Sequence, residues 1–412
     1  MFKTLKRVNF IFLLLIWCLL AVAAPGQESR ESPWNISALS VVPRFTEDLQ
    51  RTSSDIKAIY FDSVPWKGRP TKVFAYYGIP KTIGDEKIPA MVLVHGGKGT
   101  AYSRWVRLWV NRGYAAIAID TNGSVPGKDD QSPQRQEYGG PPGWKESFSQ
   151  VSQPIEDQWP YHAVANIILA HSLIRSFAKV DPDRTAITGI SWGGYLTGLV
   201  AGVDPRFKFA APVYGCGFLG DNSKWLENFD QMGATNAHKW LSLWDPAAYL
   251  SKVKIPMLWV DSTNDVFYPM DSLQKSYRLS SSPRTLSMRV RLPHTHLVGE
   301  NIVEIYAMAE NLFRHGAPLP LISKSERNGK DVFAKIQNQV LIERGELNYT
   351  TDVGEWKTRR WNTIPAILSN NNKTVSAKLP EDATVYYFNI VDARGFYLST
   401  EHEELIRSRA RR

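Results

Sequence analysis

The stretch Gly189-Ile190-Ser191-Trp192-Gly193-Gly194 limits what this chain can fold into more than any other. It follows an apolar run of β character, Arg184-Thr185-Ala186-Ile187-Thr188. It leads into Tyr195-Leu196-Thr197-Gly198-Leu199-Val200-Ala201, which reads as a helix. A strand, a sharp turn and a helix with a serine at the tip form the context of a nucleophile elbow. Gly189 and Gly193 carry no Cβ, so the backbone closes up on both sides of the serine. Ser191 Oγ then stands clear of the sheet, and the first amides of the helix face a developing oxyanion. The plainer reading is a serine N-cap in a glycine-rich turn; the strand before it and the helix after it favour the nucleophile.

The chain begins with Lys3, Lys6 and Arg7 ahead of an apolar run from Phe10 to Leu20, and Ala21-Val22-Ala23 supplies small residues for cleavage. This pattern reads as a secretory signal peptide over residues 1–23, too short in its apolar core for a bilayer span, so no stable membrane anchor is expected. The expected destination is secreted or periplasmic. Beyond Cys18 the only cysteine is Cys216, which precludes an intrachain disulfide in the mature chain, so stability must come from a large core. The formal charge of +9 includes the leader's basic residues and four arginines in the tail Arg407–Arg412, and nothing in it points to nucleic acid.

From Lys72 the pattern alternates strands and helices. Val73–Gly78 reads as an antiparallel edge strand, Ala90–Val94 and Tyr114–Asp120 as buried parallel strands, and Ser103–Arg112 as the helix between them. Residues 121–159, rich in Gly, Pro, Ser and charge, are too long for an ordinary connection and read as a functional loop with Trp144 at its tip. A helix over Tyr161–Phe177 precedes the elbow. After it come a strand over Phe207–Tyr214 and an insertion over Cys216–Val253 carrying Trp225, Phe229, Trp240 and Trp244, which reads equally as a ligand-facing cover or as a packed helical lid with no ligand contact. A strand (Pro256–Val260), a helix (Met270–Leu279), a strand (Leu286–Leu292) and a helix (Val303–Arg314) complete an α/β fold, a doubly wound and mostly parallel sheet. Residues 24–320 are read as this catalytic domain. Beyond Pro320 the helical period disappears, and residues 321–412 read as a small β-sandwich with a basic tail, more simply structural than carbohydrate-binding. Several of the fourteen tryptophans fall in loops, which suits a sugar-like or aromatic ligand surface, with Trp144 and Trp225 as substrate-binding candidates.

A serine nucleophile needs a base to take its proton and an acid to orient that base. The strand Pro256–Val260 ends in Asp261-Ser262-Thr263-Asn264-Asp265. Asp261 sits at the strand terminus, where a turn role is common, and Asp265 lies past the turn, so Asp265 is taken as the acid. Pro293-His294-Thr295-His296 follows the next strand. His296 is taken as the base and His294 as a loop-bracing hydrogen bonder. The pair's spacing raises a metal alternative, but no third ligand cluster supports it, so no metal and no cofactor are expected. His95-Gly96-Gly97-Lys98-Gly99-Thr100 follows Val94, the place for an oxyanion loop. The Gly97 amide, helped by Lys98, would pair with that of Trp192.

Taken together these residues resemble the α/β-hydrolase superfamily over about Val73–Arg314. More narrowly the chain resembles exported bacterial hydrolases near the acetyl xylan esterases and prolyl-oligopeptidase-like serine hydrolases. The echoes are His95–Ala101, Arg112–Ala116, Gly139–Trp144, Pro154–Trp159, the elbow with Ala201–Asp204, and Val213–Gly217; relatives often have glycine at Lys98 and Thr295. The resemblance implies hydrolysis of a small-molecule or carbohydrate ester. A prolyl-oligopeptidase-type peptidase is the alternative, weakened because no propeller-sized segment precedes the hydrolase region. A non-catalytic carbohydrate-binding protein is a third reading, opposed by the intact nucleophile, acid and base. Nothing in the sequence specifies an oligomeric state.

Overall fold

Strands Ile88–Val94 and Ala115–Ile119 are buried at every position, as strands of a parallel sheet covered on both faces must be. The computed structural model describes residues 32–81, 85–127, 132–369 and 371–405. The leader read over residues 1–23 and the basic tail over Arg407–Arg412 lie outside the described residues. Pro33–Arg412 gather into one compact unit. No helix among the described residues is long and apolar enough to cross a membrane.

The strands of the first half are β1 (Phe45–Glu47), β2 (Lys57–Trp66), β3 (Arg69–Gly78), β4 (Ile88–Val94) and β5 (Ala115–Ile119). A two-strand ribbon, β6 (Ser124–Val125) with β7 (Gln134–Arg135), lies in the long loop. There follow β8 (Val180–Ile190), β9 (Ala210–Val213), β10 (Met257–Ser262) and β11 (Arg284–Arg289). The large sheet has the order β1-β2-β3-β5-β4-β8-β9-β10-β11. Every pair from β5 to β11 is parallel, and β1, β2 and β3 add antiparallel neighbours on one side. The segment Val73–Gly78 is therefore interior to the sheet. The edge-strand reading fails because β2, whose partly buried positions show no clean alternation, pairs along its outer side.

The chain leaves β4 through the helix Ser103–Val110 to β5, then crosses through the helix Trp159–Ser176 to β8 on the opposite flank of β4. The strand order thus reverses between β4 and β8, and the crevice at the C-terminal ends of those strands is where open α/β sheets bind ligands. The register aligns those ends: Val94 sits opposite Gly189, Ile190 opposite Val213, and Val213 opposite Val260. The helix Trp192–Ala201 that follows β8 is buried at all its positions, which accounts for its apolar composition on every face.

Beyond Leu319 the chain builds a second, wholly antiparallel sheet. Its strands are β12 (Leu321–Ile322), β13 (Glu326–Asn328), β14 (Asp331–Gln337), β15 (Ile342–Thr350), β16 (Trp361–Leu368), β17 (Thr374–Lys378), β18 (Val385–Asp392), β19 (Tyr397–Ser399) and β20 (Glu403–Glu404). The order is β12-β14-β17-β16-β15-β18-β19, with β13 on β14 and β20 on β18. This sandwich-like unit covers the open edge of the large sheet at β11. Met288 donates its backbone N–H to Ser399 Oγ at 2.7 Å, and its carbonyl accepts from Asn389 Nδ2 at 3.1 Å. An edge strand's free amides are thereby satisfied. Glu401 adds ion pairs with Arg278 and Arg284. The architecture is an α/β hydrolase sheet with a C-terminal antiparallel β unit.

Candidate active site

Ser191 leaves β8 with φ 59° and ψ −118°, a left-handed backbone that L-residues rarely adopt. Its amide donates to Val213 O at 2.8 Å, and its carbonyl takes the first helical bond, from Tyr195 N at 2.9 Å. Such strain persists only where the surroundings enforce it. Here the enforcing feature is contact. A Cβ on Gly193 would strike the Val94 carbonyl oxygen and reach 2.7 Å from that of His95, and one on Gly189 would strike the Gly193 carbonyl oxygen. Both glycines flanking the serine are required by this close approach.

The loop after β4 passes directly beside the serine. A Cβ on Gly96 would lie 3.3 Å from Ser191 Cβ and 3.9 Å from Oγ. The loop is closed by Gly99 N donating to Gly96 O at 2.9 Å, and Asn122 Nδ2 donates to Gly97 O at 2.8 Å. His95 holds it from beneath. Its Nε2 accepts from Thr121 N at 3.0 Å, so its proton is on Nδ1 and is donated to Gly96 O at 2.6 Å. Burial pushes the His95 imidazole down to about 4, which keeps it neutral and this tautomer intact. Trp144 lies over the same loop: a Cβ on Gly97 would come within 2.5 Å of its indole, and it packs on Trp192 with ring centres 5.6 Å apart.

Asp265, the expected acid, is 3% exposed. Its Oδ1 accepts from Phe267 N at 2.8 Å and Tyr268 N at 2.9 Å, and its Oδ2 faces His294 Nδ1 at 2.5 Å. Asp265 thus meets His294, whereas His296, the expected base, belongs to a different cluster. His296 begins the helix His296–Gly299, capped by Thr295 Oγ1 accepting from Val298 N at 3.2 Å. That cap turns His296 inward, where its Nδ1 lies 3.0 Å from Glu300 Oε2, with Arg104 Nε donating to Glu300 Oε1 at 2.9 Å. The signal was present in the sequence, as a threonine N-cap directly before His296 and an i, i+4 Glu after it. Asp261, the rejected acid, is fully buried. Burial first, and the Asp265 charge second, hold its carboxyl well above the ordinary range.

Aromatic rings tie the base loop to the elbow. Trp192 packs on Trp225 at 4.9 Å, Trp225 on Phe267 at 5.7 Å, and Phe267 on His294 at 4.9 Å. Tyr214 stacks on His294 at 4.7 Å, and its hydroxyl donates to Pro293 O at 2.9 Å. Trp225 is only 4% exposed, so it packs the wall of the site and offers no face to a ligand. Trp240 and Trp244 in the same insertion are fully buried. Among the described tryptophans only Trp66 and Trp144 are half-exposed, which removes the expected aromatic ligand surface and leaves Trp144 at the site.

The family profile described as acetyl xylan esterase (AXE1) matches residues 35–246, just over half of the chain. The chain belongs to the acetyl xylan esterase (AXE1) family. That membership places it among carboxylic ester hydrolases of the serine type. The match spans the elbow, the His95–Gly99 loop and Trp144, and ends before Asp265 and His294. A second profile, for PhoPQ-activated pathogenicity-related protein, matches residues 225–359, which include Asp265 and His294. Among solved structures, this member of the family is similar to an acetyl xylan esterase from Paenibacillus sp. R4, with 24% identity and a TM-score of 0.51 over 63% of this chain and 87% of that one. It is also similar to acetyl xylan esterase 1 from Thermoanaerobacterium sp. JW/SL YS485, with 17% identity and a TM-score of 0.52 over 68% and 94%. Both likenesses show the α/β-hydrolase fold. A curated relative, the uncharacterised peptidase YuxL of Bacillus subtilis (strain 168), is 23% identical over 228 residues, 51% of this chain and 31% of its own length. The chain therefore spans about a third of that relative.

Proposed function

We propose that this protein is an exported serine carboxylesterase that removes short acyl groups, acetyl foremost, from carbohydrate. Ser191 is the nucleophile, His294 the general base and Asp265 the group that orients it. The Asp265 carboxylate holds the imidazole proton on Nδ1, which leaves the Nε2 lone pair for the serine proton. Ser191 Oγ adds to the ester carbonyl as that proton moves to His294. The Gly97 and Trp192 amides receive the oxyanion, and His294 returns the proton to the departing alcohol. Water, deprotonated by the same imidazole, then cleaves the acyl-enzyme to acid and free serine.

The observation that carries this reading is the strained Ser191 elbow, bonded to Val213, with the next residue, Tyr214, packed on the His294 of a hydrogen-bonded Asp265–His294 pair. The carbohydrate part draws support from the family description. Export draws on the leader read over residues 1–23. The test is hydrolysis of p-nitrophenyl acetate, acetate release from acetylated xylan, and cleavage of an aminoacyl p-nitroanilide, each with wild type and Ser191→Ala. Activity on both esters that vanishes in the variant is expected; cleavage of the anilide alone would favour the peptidase relative's chemistry.

A further inference from the structure

The turn Gly354–Arg359, between β15 and β16 of the C-terminal sheet, is bonded to the residue immediately before the acid. Asn264 Nδ2 faces three carbonyl oxygens of that turn: Arg359 O at 2.7 Å, Trp356 O at 3.1 Å and Lys357 O at 3.2 Å. Three acceptors around one nitrogen fix the amide's orientation. Its Oδ1 accepts from Thr263 Oγ1 at 2.8 Å, and that hydroxyl accepts from Arg291 N at 3.1 Å. Arg291 has φ 53°, a backbone that needs holding, and lies three residues ahead of His294. Thr263 also donates its own amide to Arg289 O at 3.1 Å. One polar chain thus runs from the C-terminal turn through Asn264 and Thr263 to both the acid loop and the base loop.

We propose that Asn264 is a positioning residue, and that through it the C-terminal sheet braces the Asp265–His294 pair in its reactive geometry. This gives the β unit a part in catalysis without contact to the substrate. The proposal rests on the triad reading above. Displacing a catalytic group by about 1 Å can cost on the order of 100-fold in rate. Asn264→Ala should therefore lower kcat on p-nitrophenyl acetate by about tenfold or more while KM stays within about twofold. In one-dimensional proton NMR, the far-downfield resonance of the His294 Nδ1–H should broaden or disappear in Asn264→Ala. Thr263→Val should behave likewise, and Thr263→Ser, which keeps the hydroxyl, should restore wild-type values. If Asn264→Ala does not fold, the Thr263→Val and Thr263→Ser pair decides. A folded Asn264→Ala or Thr263→Val with unchanged kcat and an unchanged downfield resonance, whatever its melting temperature, overturns the brace. Undiminished activity in Ser191→Ala would instead overturn the triad reading, while the resonance would still report on the brace.

Discussion

His294 Nδ1 lies 2.5 Å from Asp265 Oδ2, whereas His296, two residues on, turns its Nδ1 to Glu300 Oε2 at 3.0 Å. Two histidines in one short loop thus serve two carboxylates. His294 keeps 19% of its side chain exposed, and His296 packs on Tyr102 and Trp105 with an Nε2 that has no partner among the described residues.

The two histidines should separate cleanly on substitution. His294→Ala should lower kcat/KM on p-nitrophenyl acetate by about 1,000-fold or more. His296→Ala should keep activity within about tenfold and cost about 1–3 kcal/mol of stability, because Glu300 loses a buried partner. Steady-state kinetics and urea unfolding on both variants check this, and the reverse ranking would restore His296 as the base.

The contact between Trp144 and the oxyanion loop predicts a coupled pair. Gly97→Ala places a methyl against the indole and should lower kcat/KM by about tenfold or more; Trp144→Ala removes the obstacle. The double variant should lose less activity than the two single effects combined. Simple additivity in the four-way comparison would place the Gly97 defect elsewhere.

Asp120 makes a pH-dependent prediction. Its Oδ2 accepts from Asn122 N at 2.9 Å and Ser124 N at 2.7 Å, and burial pushes its carboxyl up to about 7 from an ordinary 3.8. The folded chain holds that proton where the unfolded chain has lost it, so this group's contribution to stability falls as pH rises from about 4 to about 7. Asp120→Asn keeps an acceptor and removes the ionisation. Its stability relative to wild type should therefore improve steadily across that window in unfolding titrations; a flat difference would contradict the assignment.

The covered edge of the large sheet predicts a stability effect without a catalytic one. Ser399→Ala leaves the buried Met288 N–H without its acceptor and should cost about 1–3 kcal/mol. Esterase activity at 25 °C should be unchanged. A variant as stable as wild type would mean that the amide finds another partner.

Much of the fold was legible because its signals are local. The all-buried strands Ile88–Val94 and Ala115–Ile119, the glycines pressed around Ser191, and the helices Met270–Leu279 and Val303–Arg314 all declare themselves in short stretches. Val73–Gly78 has the local pattern of an edge strand yet lies inside the sheet, because strand pairing is non-local and nothing in that segment reports the β2 residues beside it. Extended spacing would put His294 and His296 on one face, whereas the Thr295 cap starts a helix at His296 and sends the two rings to different carboxylates. The tryptophans of the insertion read as a ligand surface from composition, but they fill the space between that insertion and the elbow helix. Asn264 carries no local sign of its role, since the three carbonyls that its Nδ2 faces lie more than ninety residues away.

The most direct test of the central claim is reaction of the purified protein with a fluorophosphonate, followed by mass spectrometry of the digested chain. A serine activated by His294 and oriented by Asp265 should be labelled on Ser191 at about one equivalent, with esterase activity lost in parallel. The same reagent should label His294→Ala far more slowly and His296→Ala at close to the wild-type rate. Loss of activity with label on a different residue, or full activity with Ser191 labelled, would contradict the account.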